Sequence, residues 1–160
     1  MHTANRTPVA VDPLLLLAVL RLTLGTLFVW VFFENLGKGL YTPEGYGNLI
    51  RYYLDSGHAP TPWKAVMRFM VDHAAIAAPL QGLMESTLGI LLLAGLATRL
   101  VALGAFALLS SLWVSEWGTA WIWELLVPMV VAACLAVGAA GRRLGLDAAL
   151  ARRYPAVPLW

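Results

Sequence analysis

Four runs along the chain carry no charged side chain: residues 22–33, 86–98, 100–115 and 125–141. A helix needs roughly 20 mostly apolar residues to cross the hydrocarbon of a bilayer. Extending each run to that length predicts membrane helices near 14–34, 76–96, 98–117 and 120–140. The last three are joined only by Ala97-Thr98-Arg99 and Trp117-Gly118-Thr119, and connections that short force antiparallel neighbours. The pattern therefore reads as all-α, an integral membrane four-helix bundle forming a single membrane domain over residues 1–160. Gly25, Gly82, Ser86, Gly89, Gly104 and Ser110 are small residues that let membrane helices approach closely. Asp12-Pro13 has the chemistry of a helix start, an Asp N-cap followed by Pro at the first helical position. Pro128 should kink the last helix or free a carbonyl within it.

Between the first two spans lies a polar stretch, residues 35–75. Within it, residues 46–54 and 62–73 place Tyr46, Leu49, Ile50 and Tyr53, then Trp63, Val66, Met67 and Met70, at helical spacing. Such segments suit short amphipathic helices that lie on the membrane or cap the bundle. The tail, residues 141–160, begins GRRLGLDAALARRYP and predicts a short basic amphipathic helix ended by Pro155.

Composition agrees with the pattern: the chain is 60% hydrophobic and 12% charged, about half the charged fraction of an average soluble domain. Arg21 interrupts the first apolar run and no small-x-small pattern follows Phe33, so that run reads as a span and not as a signal peptide. A net charge of +2 gives no reason to expect nucleic acid as a partner. Its distribution is more informative. Arg6, Arg99, Arg142, Arg143, Arg152 and Arg153 lie in the tails and the second connection, against Lys38, Arg51, Lys64 and Arg68 in the first. The positive-inside rule then places both termini in the cytoplasm and residues 35–75 outside. Cys134 is the single cysteine, which excludes an internal disulfide and a cysteine-rich metal site. Its place in the last apolar run suggests a small buried thiol.

Two ionisable residues fall inside predicted spans, Arg21 and Glu85. Intramembrane charges are costly and normally pair or serve a function. From the cytoplasmic side Arg21 would be roughly 10 Å deep and Glu85 roughly 16 Å deep, a gap that an arginine side chain could bridge. The two could form an ion pair that only holds helices together. Alternatively, with Gln81 one turn from Glu85, they could form the polar end of a quinone pocket or a proton relay. At the outer ends, Glu34 and Lys38 follow helix 1, and Trp113, Glu116, Trp117, Trp121, Trp123 and Glu124 surround the last hairpin. These tryptophans read as an interfacial aromatic belt. The other reading is a cavity in which Glu124 faces Glu34 or Glu116. His58 and His73 lack the spacing of a metal or haem pair, and no metal site is expected. Dinucleotide, P-loop, hydrolase and CxxC motifs are absent from the sequence.

The elements E-S-T-L-G from Glu85 to Gly89, Thr98-Arg99 and Gly141-R-R-L-G-L-Asp147, preceded by Arg21-x3-Gly25 and Lys38, resemble the DoxX/DoxD family. Pro62-Trp63 ahead of the second span is similar to the DoxD-like branch, the small-subunit type of thiosulfate:quinone oxidoreductase. The resemblance covers most of residues 17–153. It implies a small bacterial or archaeal cytoplasmic-membrane protein associated with electron transfer to quinone beside partner subunits. The matched positions are Arg21, Lys38, Glu85 and Arg99. No covalently bound cofactor is implied, and quinone is the candidate ligand. The first expectation is a non-catalytic membrane subunit that contacts its partner through Trp113, Trp117 and Trp121. The second is a quinone-reducing sulfur oxidoreductase subunit with Arg21 and Glu85 at the quinone. A small transporter comes third, because no inverted repeat or broken-helix pair is present.

Overall fold

A computed structural model describes residues 12–157, and the described part is all-helical. The helices are α1 (Pro13–Gly37), α2 (Pro43–Ser56), α3 (Thr61–Asp72), α4 (Ala74–Ala94), α5 (Thr98–Ser115), α6 (Ile122–Val137) and α7 (Asp147–Arg153), with a 3-10 turn at Ala140–Arg142 before α7. Three of them, α1, α4 and α5, are long and apolar enough to cross a membrane. The fourth apolar helix, α6, has 16 residues, about 24 Å of rise. It is shorter than its expected range because the backbone is already extended at Trp121 and again at Gly138. Arg6 of the charge argument lies outside the described residues.

Helix α1 starts as its sequence indicates, with the Asp12 carboxylate accepting from the Leu14 N–H at 2.9 Å and Pro13 in the first turn. α1 packs on α4 and α6, and α5 packs on α6 and α4. Leu24, Phe28, Leu92, Leu108, Met129 and Leu135 fill the centre. Close approach of α1 and α4 depends on Gly89, where an added Cβ would come within 2.9 Å of the Val29 side chain. Along α6 the buried residues are Pro128, Met129, Ala132 and Leu135. Cys134 points away from that stripe and is exposed, so the expectation of a buried thiol is corrected.

The segment between α1 and α4 covers one end of the structure. α2 contacts α4 and α5, and so does α3. Their apolar faces meet in a second cluster built around Tyr46, Ile50, Met67 and Ala78. Trp63 Nε1 donates to Ser115 Oγ at 2.9 Å, which ties α3 to the end of α5. The His58 N–H donates to the Trp117 carbonyl at 2.6 Å, which ties the α2–α3 turn to the α5–α6 hairpin. At the other end the tail departs from the single amphipathic helix expected of it. It folds back over the α4–α5 turn, with Leu146 N–H on the Ala94 carbonyl at 3.1 Å and Asp147 N–H on the Gly95 carbonyl at 2.9 Å. Those bonds confine the tail helix to the seven residues of α7.

Candidate functional site

The two intramembrane charges have separate partners. Arg21 is fully buried and donates to the carbonyls of Leu92, Leu93 and Leu144, the latter two at 3.0 and 2.7 Å. The last carbonyls of a helix carry partial negative charge and lack intrahelical donors. The guanidinium therefore closes the C-terminus of α4. Asp147, 2% exposed, does the converse for α5: its carboxylate accepts from the N–H groups of Ala97 at 2.7 Å and Thr98 at 2.9 Å. The Asp147 charge also acts on Arg21 through space. Gly95 adopts a left-handed conformation at this turn, and a Cβ there would meet Arg21 Nη1 at 2.7 Å. Arg99 belongs to the same end, its Nε donating to the Gly138 carbonyl at 3.2 Å.

Glu85 lies seven residues before Leu92, about 10 Å along the helix axis. The expected ion pair of Arg21 with Glu85 is therefore corrected. The α4 carbonyls and the tail take both terminal nitrogens of the guanidinium and leave its buried Nε without a partner. Glu85 is 3% exposed. Its Oε1 accepts from Gln81 Nε2 at 2.6 Å, and its Oε2 from Asn35 Nδ2 at 3.2 Å and from the Tyr41 hydroxyl. All three donors are neutral, and among the described residues no cation forms an ion pair with this carboxylate.

Each donor has a local reason for its place. Gln81 is one turn before Glu85 on α4. Asn35 follows Arg21 by 14 residues, close to four helical turns, so it shares the α1 face that packs on α4. Tyr41 follows the end of α1, and its ring lies over Gly82, where an added Cβ would stand 3.0 Å from two ring atoms. Phe32 stacks on the same ring at a centroid distance of 5.4 Å. Burial first, and then the Glu85 hydrogen bond and charge, raise the Tyr41 pKa well above that of an ordinary phenol. Tyr41 therefore remains a donor.

These groups form one side of a cavity of about 540 Å³ beneath α2 and α3, within the ~300–1,000 Å³ usual for small-molecule sites. Most of its wall is apolar, including Leu27, Phe28, Val31, Leu109 and Leu125. Tyr46, Tyr53 and Trp63 add aromatic surface, and Glu116, Glu124 and Lys38 also line it. Tyr53 OH donates to Glu116 Oε1 at 3.0 Å. Burial raises the Glu116 pKa, the Tyr53 hydrogen bond opposes the shift, and the Glu124 charge adds to it.

Of the residues singled out from sequence, the structure brings Glu85, Gln81 and Lys38 to this cavity and leaves Arg21 and Arg99 at the opposite end. Lys38 is itself engaged, with its Nζ 2.6 Å from Glu34 Oε1 on an exposed surface. Glu124 shares the cavity with Glu116, whereas Glu34 does not line it. The hairpin tryptophans stand outside. Trp113 stacks on Trp117 at 5.6 Å and Trp121 on Trp123 at 4.9 Å; Trp117, Trp121 and Trp123 are exposed, while Trp113 packs partly on the core. Asn35 and Tyr41 were missed from sequence. The 14-residue spacing from Arg21 could have found Asn35, but nothing local marks Tyr41.

Compared with protein families, residues 16–159 match the one described as TQO small subunit DoxD, TQO being thiosulfate:quinone oxidoreductase. The chain belongs to the DoxD family. Comparison with curated proteins and with solved structures gives no match. The DoxD match takes in both polar ends of the molecule, the Arg21 and Asp147 closure as well as the Glu85 cavity.

Proposed function

We propose that this DoxD chain is the quinone-binding membrane subunit of a thiosulfate:quinone oxidoreductase-like complex. In this reading α1, α4, α5 and α6 form a four-helix bundle in the bacterial or archaeal cytoplasmic membrane. Both termini are cytoplasmic, and the end covered by α2 and α3 is external. One observation carries the reading: a buried carboxylate held by neutral donors forms one polar side of a mostly apolar cavity. A quinone headgroup is flat, neutral and apolar apart from two carbonyls. Gln81 has a second amide N–H beyond the one given to Glu85, and such a donor suits a quinone carbonyl.

Charge argues against oxidation of thiosulfate in the same cavity. Glu85 and Glu124 line it, and among the described lining residues Lys38 is the one base and is paired to Glu34. A divalent anion is repelled there, so sulfur oxidation is assigned to a partner subunit. The exposed rings of Trp117 and Trp121 are the contact surface assigned to that partner.

Titrating decylubiquinone into the detergent-purified chain, with tryptophan fluorescence quenching as readout, tests the site. Saturable quenching, weakened by Tyr41→Phe and untouched by thiosulfate, is expected. Quenching that never saturates, or that thiosulfate competes away, would overturn the reading. Topology is tested separately with a thiol reagent applied from outside in a Cys134→Ala background: Ser56→Cys should label and Ala149→Cys should not.

A further inference from the structure

The cavity has a second polar side, and the arrangement there differs from that around Glu85. Glu116 lies just beyond the last residue of α5, half-buried, with one oxygen accepting from Tyr53 on α2. Glu124, in the first turn of α6, is exposed to solvent and lines the same cavity. One carboxyl group is thus turned into the cavity and a second stands between the cavity and water. Glu85 is held by three donors, whereas Glu116 is held by one.

We propose that Glu116 gives a proton to the ligand in this cavity and that Glu124 returns a proton to it from water. The inference rests on the quinone reading above. Reduction of a quinone to a quinol takes two electrons and two protons. The electrons come from oxidation of a reduced sulfur anion on the partner subunit. As the first quinol O–H forms, the Glu116 O–H breaks and leaves a carboxylate. The Glu124 O–H then breaks as the Glu116 O–H re-forms, Glu124 takes up a proton from the aqueous phase, and a second passage delivers the second proton.

The surroundings of Glu116 favour its protonated form more than those of an ordinary glutamate do. Facing it are Tyr53 on α2, Glu124 on α6 and, across the cavity, Glu85 on α4 and Lys38 beyond α1. On α3, the Lys64 ammonium is directed to the Leu54 and Gly57 carbonyls, at 3.1 Å each. His58 meets the α5–α6 hairpin, its backbone N–H on the Trp117 carbonyl and its imidazole against Gly118. Lys38 and Lys64 therefore have partners elsewhere, and burial first, then the Glu124 charge, raise the Glu116 pKa against the opposing Tyr53 hydrogen bond.

The test uses the purified full chain with decylubiquinone reduced at an electrode in an infrared cell, so that no partner subunit is needed. In the wild type, reduction should be accompanied by a transient loss of a protonated-carboxyl C=O band. Glu116→Gln should bind quinone within about twofold of wild type, lack that transient and form quinol about 100-fold more slowly, the scale of a lost general acid. Glu116→Asp should restore the transient. Glu124→Gln should keep it and slow its recovery by about tenfold. Quinone binding with the same transient in Glu116→Gln would overturn the inference and leave the quinone reading intact. Absence of quinone binding in the wild type would overturn both. Should Glu116→Gln fail to bind quinone, Glu124→Gln decides, and an unchanged recovery there would overturn the relay.

Discussion

Replacing Asp147 by alanine tests the closure of the α4–α5 end more directly than any other change. The carboxylate is 2% exposed and holds two backbone donors, Ala97 N–H at 2.7 Å and Thr98 N–H at 2.9 Å. Hydrogen bonds to a charged group contribute about 1.5–3 kcal/mol each, and the two donors have no helical partner to fall back on. Asp147→Ala also removes the negative charge that acts on the buried Arg21. Because these contributions share one side chain they do not simply add, and a total loss of about 4 kcal/mol is expected, in the range found for breaking buried charge pairs. Asp147→Asn keeps the shape and one acceptor oxygen, so about half that loss should follow. Gly141→Ala is an independent route to the same defect, since its new Cβ would collide with the Asp147 carboxylate and the Thr98 hydroxyl. Equilibrium unfolding in mixed micelles with increasing dodecyl sulfate, followed by far-UV circular dichroism, measures all three. The exposed Asp55→Asn serves as control, with a change within about 0.5 kcal/mol. A loss under about 1 kcal/mol for Asp147→Ala would refute the argument, because even one charge-assisted bond exceeds it.

Three further outcomes are expected. In a double-mutant cycle, Arg21→Gln and Glu85→Gln should be additive in stability within about 0.5 kcal/mol; a larger coupling would show that the two charges interact despite their separate partners. Gly82→Ala should push the Tyr41 ring off Glu85 and weaken decylubiquinone binding roughly tenfold, as should Tyr41→Phe, each removing one bond to a charged acceptor; wild-type affinity in both would separate Tyr41 from the site. Glu116 has a folded pKa raised above its unfolded value, chiefly by burial. Its contribution to stability is therefore complete below the unfolded pKa and fades as pH rises through the folded one; unfolding curves of Glu116→Gln should lack that decline, and an identical decline would place its origin in another group.

Apolar patterning made most of the fold legible. Charge-free runs mark α1, α4 and α5, and the helical spacing of Tyr46, Ile50 and Met67 marks the buried faces of α2 and α3. Cys134 was misjudged because an all-round apolar helix hides which stripe faces inward; only packing against α1 and α5 selects Met129, Ala132 and Leu135. The site was half legible. A carboxylate in a hydrophobic run stands out, and Gln81 follows from helical spacing. Neutral donors such as Tyr41 do not stand out, and their arrival depends on a chain reversal whose direction no local pattern fixes. The partner of Arg21 was not readable at all, because backbone carbonyls have no sequence identity.

That difference in partners decides which intramembrane charge is free to act. Arg21 is neutralised by a helix terminus, a fixed array of dipoles that is itself closed by the tail. Any movement of the guanidinium would take a donor from the Leu92, Leu93 and Leu144 carbonyls together. Its charge is therefore structural, and the same bonds that stabilise it keep it from a ligand. Glu85 is solvated by side-chain amides and a phenol instead, groups that can rotate and lend a donor to a newcomer in the cavity. An arriving polar ligand competes for Gln81, Asn35 and Tyr41 without dismantling a helix end. The two charges that look alike in the sequence thus divide by what solvates them, and only the one solvated by side chains stands beside an empty volume large enough for a substrate.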